Sequence, residues 1–328
     1  MRLSILDQSP ISAGQTAYEA LNQSLKLAQA AEQFGYTRYW LTEHHDLPGI
    51  ACSAPEVMIS YIGAHTQRIR IGSGAVLLPH YKPYKVAEIF NMLATLFPDR
   101  IDIGIGRAPG GSAEATNALS DNFLQSVYDY PQLVDELVHF LNNAHATLKA
   151  APIPDVSPIP WMLGTSKKSA VLAAEKGMSY AFGQFMSNVD GAPILEAYRS
   201  AFRSNVKGEK NQVLLTVSAF CADTAERAEE IALSSLIWHL QTEKGGGQYI
   251  PSIEQAKDFQ LDKQDKEKLQ KMKQNMVIGD PMHLKKALLD MQKQYQADEI
   301  MILTTAHSLE DRIHSYQLIA DAIGVKQT

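Results

Sequence analysis

The chain has 328 residues, of which 45% are hydrophobic and 20% are charged, so it has ample apolar material for a globular core. Its net charge of −6 argues against a nucleic-acid partner, because phosphate backbones are bound by concentrated basic faces. No stretch reaches the roughly 18 uninterrupted apolar residues that a membrane span requires, and the N-terminus lacks the apolar segment of a signal peptide. We therefore expect neither nucleic-acid binding nor membrane association.

The sequence contains two cysteines, Cys52 and Cys221. They can form at most one disulfide bond and cannot build a metal cluster. Two reduced thiols in a cytoplasmic protein are the ordinary interpretation of so few cysteines. We predict a cytoplasmic protein with no metal site.

A short apolar run followed by a longer amphipathic stretch repeats along the chain. The predicted strands are Leu3–Leu6, Tyr39–Thr42, Ile69–Leu78, Ile101–Ile105, Pro160–Leu163, Tyr180–Gly183, Val213–Cys221 and Glu299–Leu303. Each is compact and apolar, as strands buried on both faces are. The predicted helices are Tyr18–Gln33, Pro55–Thr66, Tyr84–Phe97, Pro131–Leu148, Ser169–Lys176, Pro193–Arg203, Ala225–Leu240, Pro281–Tyr295 and Leu309–Ile323. Gly35 follows the first helix, where a capping glycine is expected.

Alternating strands and helices indicate parallel strands joined by right-handed crossovers. Eight strands suit a closed barrel, whereas a doubly wound sheet would carry a glycine-rich nucleotide loop after its first strand. The residues at that place, Asp7-Gln8-Ser9-Pro10, are not glycine-rich. The sequence therefore predicts an α/β protein, a (β/α)₈ TIM barrel that forms a single domain over residues 1–328.

One long polar stretch, Lys244–Lys273, interrupts the alternation after the seventh strand. It begins with Gly245, Gly246 and Gly247 and then becomes rich in lysine and aspartate. One interpretation is a solvated insertion with a surface helix. The other is a mobile lid over the C-terminal face of the barrel, with the three glycines as its hinge.

The residues that follow the second strand, Thr42-Glu43-His44-His45, are the first candidates for chemistry, because the active sites of such barrels lie at the C-terminal strand ends. Adjacent histidines on an extended chain point in opposite directions, so they cannot easily chelate one metal ion. We expect one histidine to face the pocket as an acid, base or hydrogen-bond donor. The neighbouring carboxylate could orient it or raise its pKa.

The third strand contains Gly72-Ser73-Gly74-Ala75. Glycines inside a strand often mark a close approach of backbone or ligand. Ser73, Gly74 and Ala75 would leave a smooth surface on which a flat ring can lie. A tight bend in the barrel wall is the alternative interpretation.

Two neighbouring strand ends predict an anion site. Arg107 emerges from the fourth strand into a glycine-rich loop, where a guanidinium can grip a phosphate bidentately. Thr165, Ser166 and Ser169 follow the fifth strand at the start of a helix, which suits either simple capping or a phosphate cradle. Gln184, at the end of the sixth strand, could hydrogen-bond the edge of a heterocycle.

Taken together, these motifs resemble those of the bacterial-luciferase-like monooxygenases, especially the single-chain bacterial members that are not luciferases. The resemblance covers nearly the whole chain. It is carried by Tyr39-Trp40-Leu41-Thr42-Glu43-His44-His45, by residues 69–79, by Asp99-Arg100-Ile101-Asp102-Ile103-Gly104-Ile105-Gly106-Arg107 and by Val277-Ile278-Gly279-Asp280-Pro281.

The resemblance implies a (β/α)₈ barrel that binds reduced FMN non-covalently, receives it from a separate flavin reductase and uses molecular oxygen to oxidise a small organic substrate. It implies that His44 is the catalytic histidine and that Glu43 lines the same pocket. It also implies a cis peptide between Gly74 and Ala75 beneath the flavin ring, and a phosphate grip by Arg107, Thr165, Ser166 and Ser169. A homodimer, and a lid at Lys244–Lys273, are further expectations from the family.

One departure is Gly106, which stands where the luciferases carry a reactive cysteine, so light emission from a long aldehyde is not expected. Two other functions remain open from the residues. The wider superfamily includes deazaflavin enzymes that transfer hydride without oxygen, and a non-catalytic flavin-binding protein would keep Arg107 but not need His44.

Overall fold

The computed structural model describes residues 1–203, 212–246 and 248–325, so Gly247 of the predicted hinge lies outside the described residues. The strands are β1 (Arg2–Asp7), β2 (Arg38–Leu41), β3 (Arg70–Leu77), β4 (Ile101–Gly106), β5 (Ile159–Gly164), β6 (Ser179–Gly183), β7 (Val213–Cys221), β8 (Met276–Gly279) and β9 (Glu299–Leu303). The first helices are α1 (Ala17–Gln33), α2 (Pro55–Gly63), α3 (Pro83–Leu96), α4 (Ala113–Leu119), α5 (Phe123–Tyr128), α6 (Tyr130–Leu141) and α7 (Lys167–Glu175). The remaining helices are α8 (Ala192–Ala201), α9 (Ala225–Glu243), α10 (Ile253–Asp258), α11 (Lys263–Gln274), α12 (Pro281–Tyr295) and α13 (Leu309–Ile323).

Eight of the strands close a parallel barrel. Neighbouring strands pair in chain order from β1 to β7, and β9 then pairs with both β7 and β1. The predicted (β/α)₈ barrel is therefore confirmed. Its closure brings the C-terminal ends of all eight strands to one face, where the connecting loops can build a site.

The short strand β8 was missed by the sequence prediction. It pairs with Ser218–Cys221 at the end of β7, whereas β9 pairs with the earlier part of β7, from Leu214 to Ser218. β7 can serve both neighbours because it is nine residues long and buried throughout. β8 has four residues and follows a strongly polar helix, so its apolar signal is weak in the sequence.

Helix boundaries follow local capping. Thr16 caps α1 and forms a reciprocal capping box with Glu19. Gly35 ends this helix with a φ of +81°, as the sequence predicted, because a glycine adopts the left-handed conformation without steric cost. The predicted helix Pro131–Leu148 is wrong in its second half, because α6 ends at Leu141 and Asn143 adopts a φ of +53°.

The polar insertion that follows β7 is held against α9 by ion pairs. Lys273 contacts Glu229 of α9 at 2.7 Å, and Lys268 pairs with Glu243 at the end of α9. Lys244, directly after α9, contacts Asp265 at 2.6 Å. Upstream of its helices, the backbone of Ile250 exchanges hydrogen bonds with the loop after β1. α11 matches the predicted surface helix, and the lid function of Lys244–Lys273 stays a prediction.

The inside of the barrel contains an apolar layer that is separate from the main core. It consists of Leu6, Trp40, Trp161, Ala181, Leu214, Met301 and Leu303, which lie on different strands. The main core lies between the barrel and its helices and includes Ile5, Tyr39, Ile103 and Phe90. Neighbouring side chains on a strand point to opposite faces, so each strand supplies both layers.

Below the inner layer, at the N-terminal ends of the strands, Arg38 forms a buried ion cluster. Its Nε lies 2.7 Å from Glu299 Oε1 and its Nη1 lies 2.7 Å from Asp102 Oδ2. Trp40 Nε1 also donates to Asp102, and the Arg38 guanidinium stacks 4.9 Å from the Trp161 ring centroid. Burial alone would lower the Arg38 pKa, but the two carboxylates hold that pKa above its ordinary value. Arg38 therefore stays charged, and its two ion pairs link β2, β4 and β9.

We predict that Arg38→Met destabilises the protein by about 3–5 kcal/mol, because it leaves two buried carboxylates without their shared cation. Arg227→Met is the matched control, since Arg227 pairs with Glu230 and Asp311 at the surface and should cost at most about 1 kcal/mol. Urea unfolding of both variants measures the difference. Equal losses would show that the cluster does not stabilise the barrel more than a surface ion pair does.

Candidate active site

A cleft of about 430 Å³ opens at the C-terminal ends of the barrel strands. Leu6, Leu163, Ala181 and Met301 form its apolar part and continue the inner layer of the barrel. Its polar side chains are Gln8, Thr42, Glu43, His44, Arg107, Thr165, Ser166, Ser169 and Thr216. A mostly apolar cleft with a few convergent polar groups is the usual form of a small-molecule site.

His44 lines this cleft directly after β2. Its Nδ1 lies 2.9 Å from the hydroxyl of Thr42, and its backbone N–H donates to the carbonyl of Cys52 at 3.1 Å. Burial, with a smaller effect of His45, lowers the His44 pKa to about 4. His44 is therefore neutral at pH 7.

Glu43 pairs with His45 instead of His44. Glu43 Oε1 lies 2.8 Å from His45 Nε2 and accepts from Tyr81 at 2.7 Å, while its Oε2 accepts from the backbone of Leu77 at 3.0 Å. Residues two apart on an extended chain share a side, so Thr42 falls with His44 and Glu43 with His45. The expectation that the carboxylate orients the pocket histidine or raises its pKa is therefore wrong.

The loop after β4 holds the two-histidine segment in place. The backbone of His45 donates to Gly110 at 2.8 Å, and Ser112 donates to Asp46 at 2.6 Å. A Cβ on Gly111 would lie 1.9 Å from the carbonyl oxygen of His45, so a larger residue cannot fit there. These residues were not predicted as part of the site, although the adjacent glycines Gly110 and Gly111 are a sequence signal of close packing.

Of the three candidate residues on β3, Gly74 and Ala75 line the cleft and Ser73 does not. The peptide bond between Gly74 and Ala75 is cis, as the resemblance implies. A Cβ on Gly74 would lie 2.7 Å from the side chain of Leu6. Ser73 is fully buried and its hydroxyl bonds both backbone groups of Gly104, so the structure does not bring it to the cleft.

The predicted anion residues come together at one end of the cleft. Ser166 caps α7 and shares a capping box with Ser169, whose hydroxyl lies 2.9 Å from that of Tyr180. Within the described part of the chain, Arg107 has no hydrogen-bond or ion-pair partner. Its charge acts on the buried hydroxyl of Tyr130, which also has no hydrogen-bond partner among the described residues. Tyr130 carried no strand-end signal and was missed by the sequence analysis.

Gln184 lies outside the cleft lining, although Gly183, Phe185 and Met186 around it contribute to the lining. It begins a short 3₁₀ turn, which changes the direction of its side chain relative to a strand. The structure adds Gln8, which accepts from Thr305 at 3.3 Å, and Thr216. Gln8 directly follows β1, so its strand-end position was a signal that could have found it, whereas Thr216 lies inside β7 and gave no such signal.

Other kinds of site are not seen in the described residues. Residues 1–203, 212–246 and 248–325 contain no group of three or more histidine, cysteine, aspartate or glutamate side chains that could hold a metal ion. Over the same ranges, no helix has the length and apolarity to cross a membrane.

We predict that His44 titrates near pH 4 in the folded protein. Because its ordinary value is 6.5, the unfolded chain takes up a proton first, so this group reduces stability as the pH falls from 6.5 to 4. NMR titration of ¹⁵N-histidine-labelled protein measures the midpoint, with His44→Gln identifying the signal. A midpoint near 6.5 would contradict the burial argument.

Comparison with known proteins agrees with the geometry. The model of the family described as luciferase-like monooxygenase matches residues 1–297. The N-acetyl-S-alkylcysteine monooxygenase of Bacillus subtilis is 35% identical over 330 residues, with 98% of each chain covered. The solved structure of apo-MsnO8 is 31% identical, has a TM-score of 0.92 and shares 99% of each chain.

Two more distant solved structures have the same fold and different cofactors. The oxygenating constituent of 3,6-diketocamphane monooxygenase from Pseudomonas putida, in complex with FMN, has a TM-score of 0.69 at 17% identity and covers 98% of this chain and 96% of its own. An F420-dependent secondary alcohol dehydrogenase with an F420–acetone adduct has a TM-score of 0.66 at 13% identity and covers 98% of each chain. From the family model and the full-length relatives, we conclude that this chain belongs to the luciferase-like monooxygenases and is a flavin-dependent monooxygenase.

Proposed function

We propose that the chain uses reduced FMN and molecular oxygen to oxidise a small organic substrate. One observation carries the proposal. At one end of a single cleft lie Arg107, which has no partner for its charge in the described chain, and the start of α7. The neutral side chain of His44 and the nearly side-chain-free segment Gly74–Ala75 line the same cleft. A molecule with a phosphate, a flat ring and a reacting centre matches this distribution.

The residues at the anion end fit a phosphate. Arg107 lines the cleft and has no hydrogen-bond or ion-pair partner in the described chain, so an anion would satisfy a group that the protein leaves unpaired. Ser166 and Ser169 add hydroxyls where the positive end of the α7 dipole lies. Thr165 lines the cleft beside them. These residues would hold the phosphate of FMN.

The ring would lie against Gly74 and Ala75, where the wall has almost no side chain. Bound reduced FMN supplies the electrons with which one oxygen atom enters the substrate and the other leaves as water. His44 can hydrogen-bond a reacting group in the cleft and exchange a proton with it. The apolar side chains around it exclude water and strengthen these interactions. Glu43 acts at a distance, by holding His45 and the backbone of Leu77.

FMN is preferred over a deazaflavin because the relatives at 31–35% identity include a named monooxygenase, whereas the F420-dependent structure shares only 13% identity. The phosphate site and the flat wall suit both cofactors, so the choice is open to direct competition. Reduced FMN should displace reduced F420, and the reverse order would favour hydride transfer without oxygen.

Two remaining parts of the proposal rest on the resemblance: a separate flavin reductase would supply reduced FMN, and the protein would be a homodimer. A location in the cytoplasm is proposed from the presence of only two cysteines. The substrate would be a small organic molecule that enters beside His44. Phe185 and the exposed side chain of Met186 line the same cleft.

We predict that Arg107→Gln weakens the binding of reduced FMN by about 10- to 100-fold, because a charge-assisted hydrogen bond contributes about 1.5–3 kcal/mol. Riboflavin, which lacks the phosphate, should bind equally to the wild type and the variant. Anaerobic fluorescence titration measures both affinities. Arg227→Gln is the matched control and should leave both unchanged. Loss of riboflavin binding in Arg107→Gln would place the arginine elsewhere on the cofactor.

We predict oxygen consumption that depends on substrate when the protein is supplied with a flavin reductase, NADH and FMN. A panel of thioethers, ketones and amines provides the substrates, and mass spectrometry with ¹⁸O₂ detects the incorporated oxygen. His44→Gln should lower kcat by about 10²- to 10⁴-fold, while the affinity for reduced FMN stays within a few-fold.

His314→Gln is the control for the catalytic variant, because His314 pairs with Asp223 at the surface. This variant should retain full activity. Incorporation of ¹⁸O at the same rate in His44→Gln and wild type would remove His44 from the mechanism. Binding of reduced FMN without any ¹⁸O incorporation from the whole panel would favour a non-catalytic flavin-binding protein.

A further inference from the structure

Thr42 contacts the candidate catalytic histidine and has no other hydrogen-bond partner for its hydroxyl in the described part of the chain. Thr42 is 5% exposed, and its Oγ1 lies 2.9 Å from His44 Nδ1. We propose that Thr42 is a positioning residue that keeps His44 in the tautomer with its proton on Nε2. His44 then presents a hydrogen-bond donor to the cleft. The consequence for catalysis rests on the role proposed for His44.

The proton of the Thr42 hydroxyl needs an acceptor. A hydroxyl donates one hydrogen bond, and a donor that is buried without an acceptor is unfavourable. The unprotonated Nδ1 of His44 is an acceptor at the correct distance. If Nδ1 carried the proton, it would donate to Thr42, and the threonine proton would have no acceptor among the described residues. The arrangement that satisfies both groups places the imidazole proton on Nε2.

No other side chain in the described ranges forms a hydrogen bond with a ring nitrogen of His44. Glu43, the obvious alternative, is occupied by His45, Tyr81 and the backbone of Leu77. The Glu43 carboxylate therefore orients His45 and does not fix the tautomer of His44. The lowered pKa of His44 keeps its ring neutral, so the two tautomers are the relevant states at pH 7.

The tautomer decides what His44 can do for a bound molecule. With the proton on Nε2, the resting enzyme offers a donor that can stabilise negative charge developing on an oxygen atom. With the proton on Nδ1, the same ring would offer an acceptor and serve as a general base. Thr42 thus selects the donor role, and His44 can take up a second proton only at Nδ1 after the threonine hydroxyl turns away.

Long-range ¹H–¹⁵N NMR spectra of histidine-labelled, flavin-free protein at pH 7.5 measure the tautomer, with His44→Gln identifying the signal. The wild type should show a protonated Nε2 and an unprotonated Nδ1. Thr42→Ser keeps the hydroxyl and should keep this pattern. Thr42→Val keeps the shape without the hydroxyl and should shift the tautomer ratio about 5- to 10-fold toward the Nδ1–H form, as expected for one lost hydrogen bond.

Thr216→Val is the matched control, because Thr216 lines the same cleft and forms no hydrogen bond with His44 in the described part of the chain. It should leave the His44 signals unchanged. A wild type with the proton on Nδ1, or the same ratio in Thr42→Val as in the wild type, would overturn the proposal. The wild-type spectrum alone tests it if Thr42→Val does not fold. Because flavin is absent from these samples, the result is independent of whether FMN proves to be the cofactor.

Discussion

The guanidinium of Arg38 is satisfied inside the barrel by carboxylates from two other strands, and this constraint determines what lies above it. Asp102 and Glu299 approach it at 2.7 Å with side chains that are fully buried. Buried ion pairs are worthwhile only when geometry and additional hydrogen bonds compensate for desolvation, and Trp40 and Arg70 supply such bonds to Asp102. The cluster thus fixes the relative positions of β2, β4 and β9 at the closed end of the barrel.

The position of the cluster also determines where the cleft can begin. The two tryptophans of the inner layer pack directly on the charged group, with their rings 5.6 Å apart, and fill the barrel above it. Leu6, Ala181 and Met301 then form an apolar surface that faces the loops. Charge at the bottom, apolar side chains in the middle and polar side chains at the mouth are therefore separated along the barrel axis. A flat apolar ring can rest on such a floor while its polar groups reach the loops.

The sequence predicted much of this arrangement because its strongest signals are local and periodic. Eight apolar runs gave the barrel strands, and strand-end positions gave Arg107, Ser166 and His44. The structure joins these residues in one cleft. The short strand β8 and the destination of the Ser73 hydroxyl could not be predicted, since both depend on partners far away in the chain. Tyr130 was missed for the same reason, because only folding brings it beside Arg107.

The partners of the two histidines show how a local rule can correct a plausible assignment. A carboxylate next to a histidine in sequence suggests that the two interact, yet on an extended segment they face opposite sides. Because side chains alternate, Glu43 contacts His45, whose backbone donates to the loop after β4. Thr42 contacts His44, which faces the cleft. One pair thus secures the loop, while the other supplies a neutral imidazole. A neutral imidazole suits a cleft with an apolar floor. A charged imidazole would lose its hydration there, and no carboxylate among the described residues pairs with it to offset that free-energy cost.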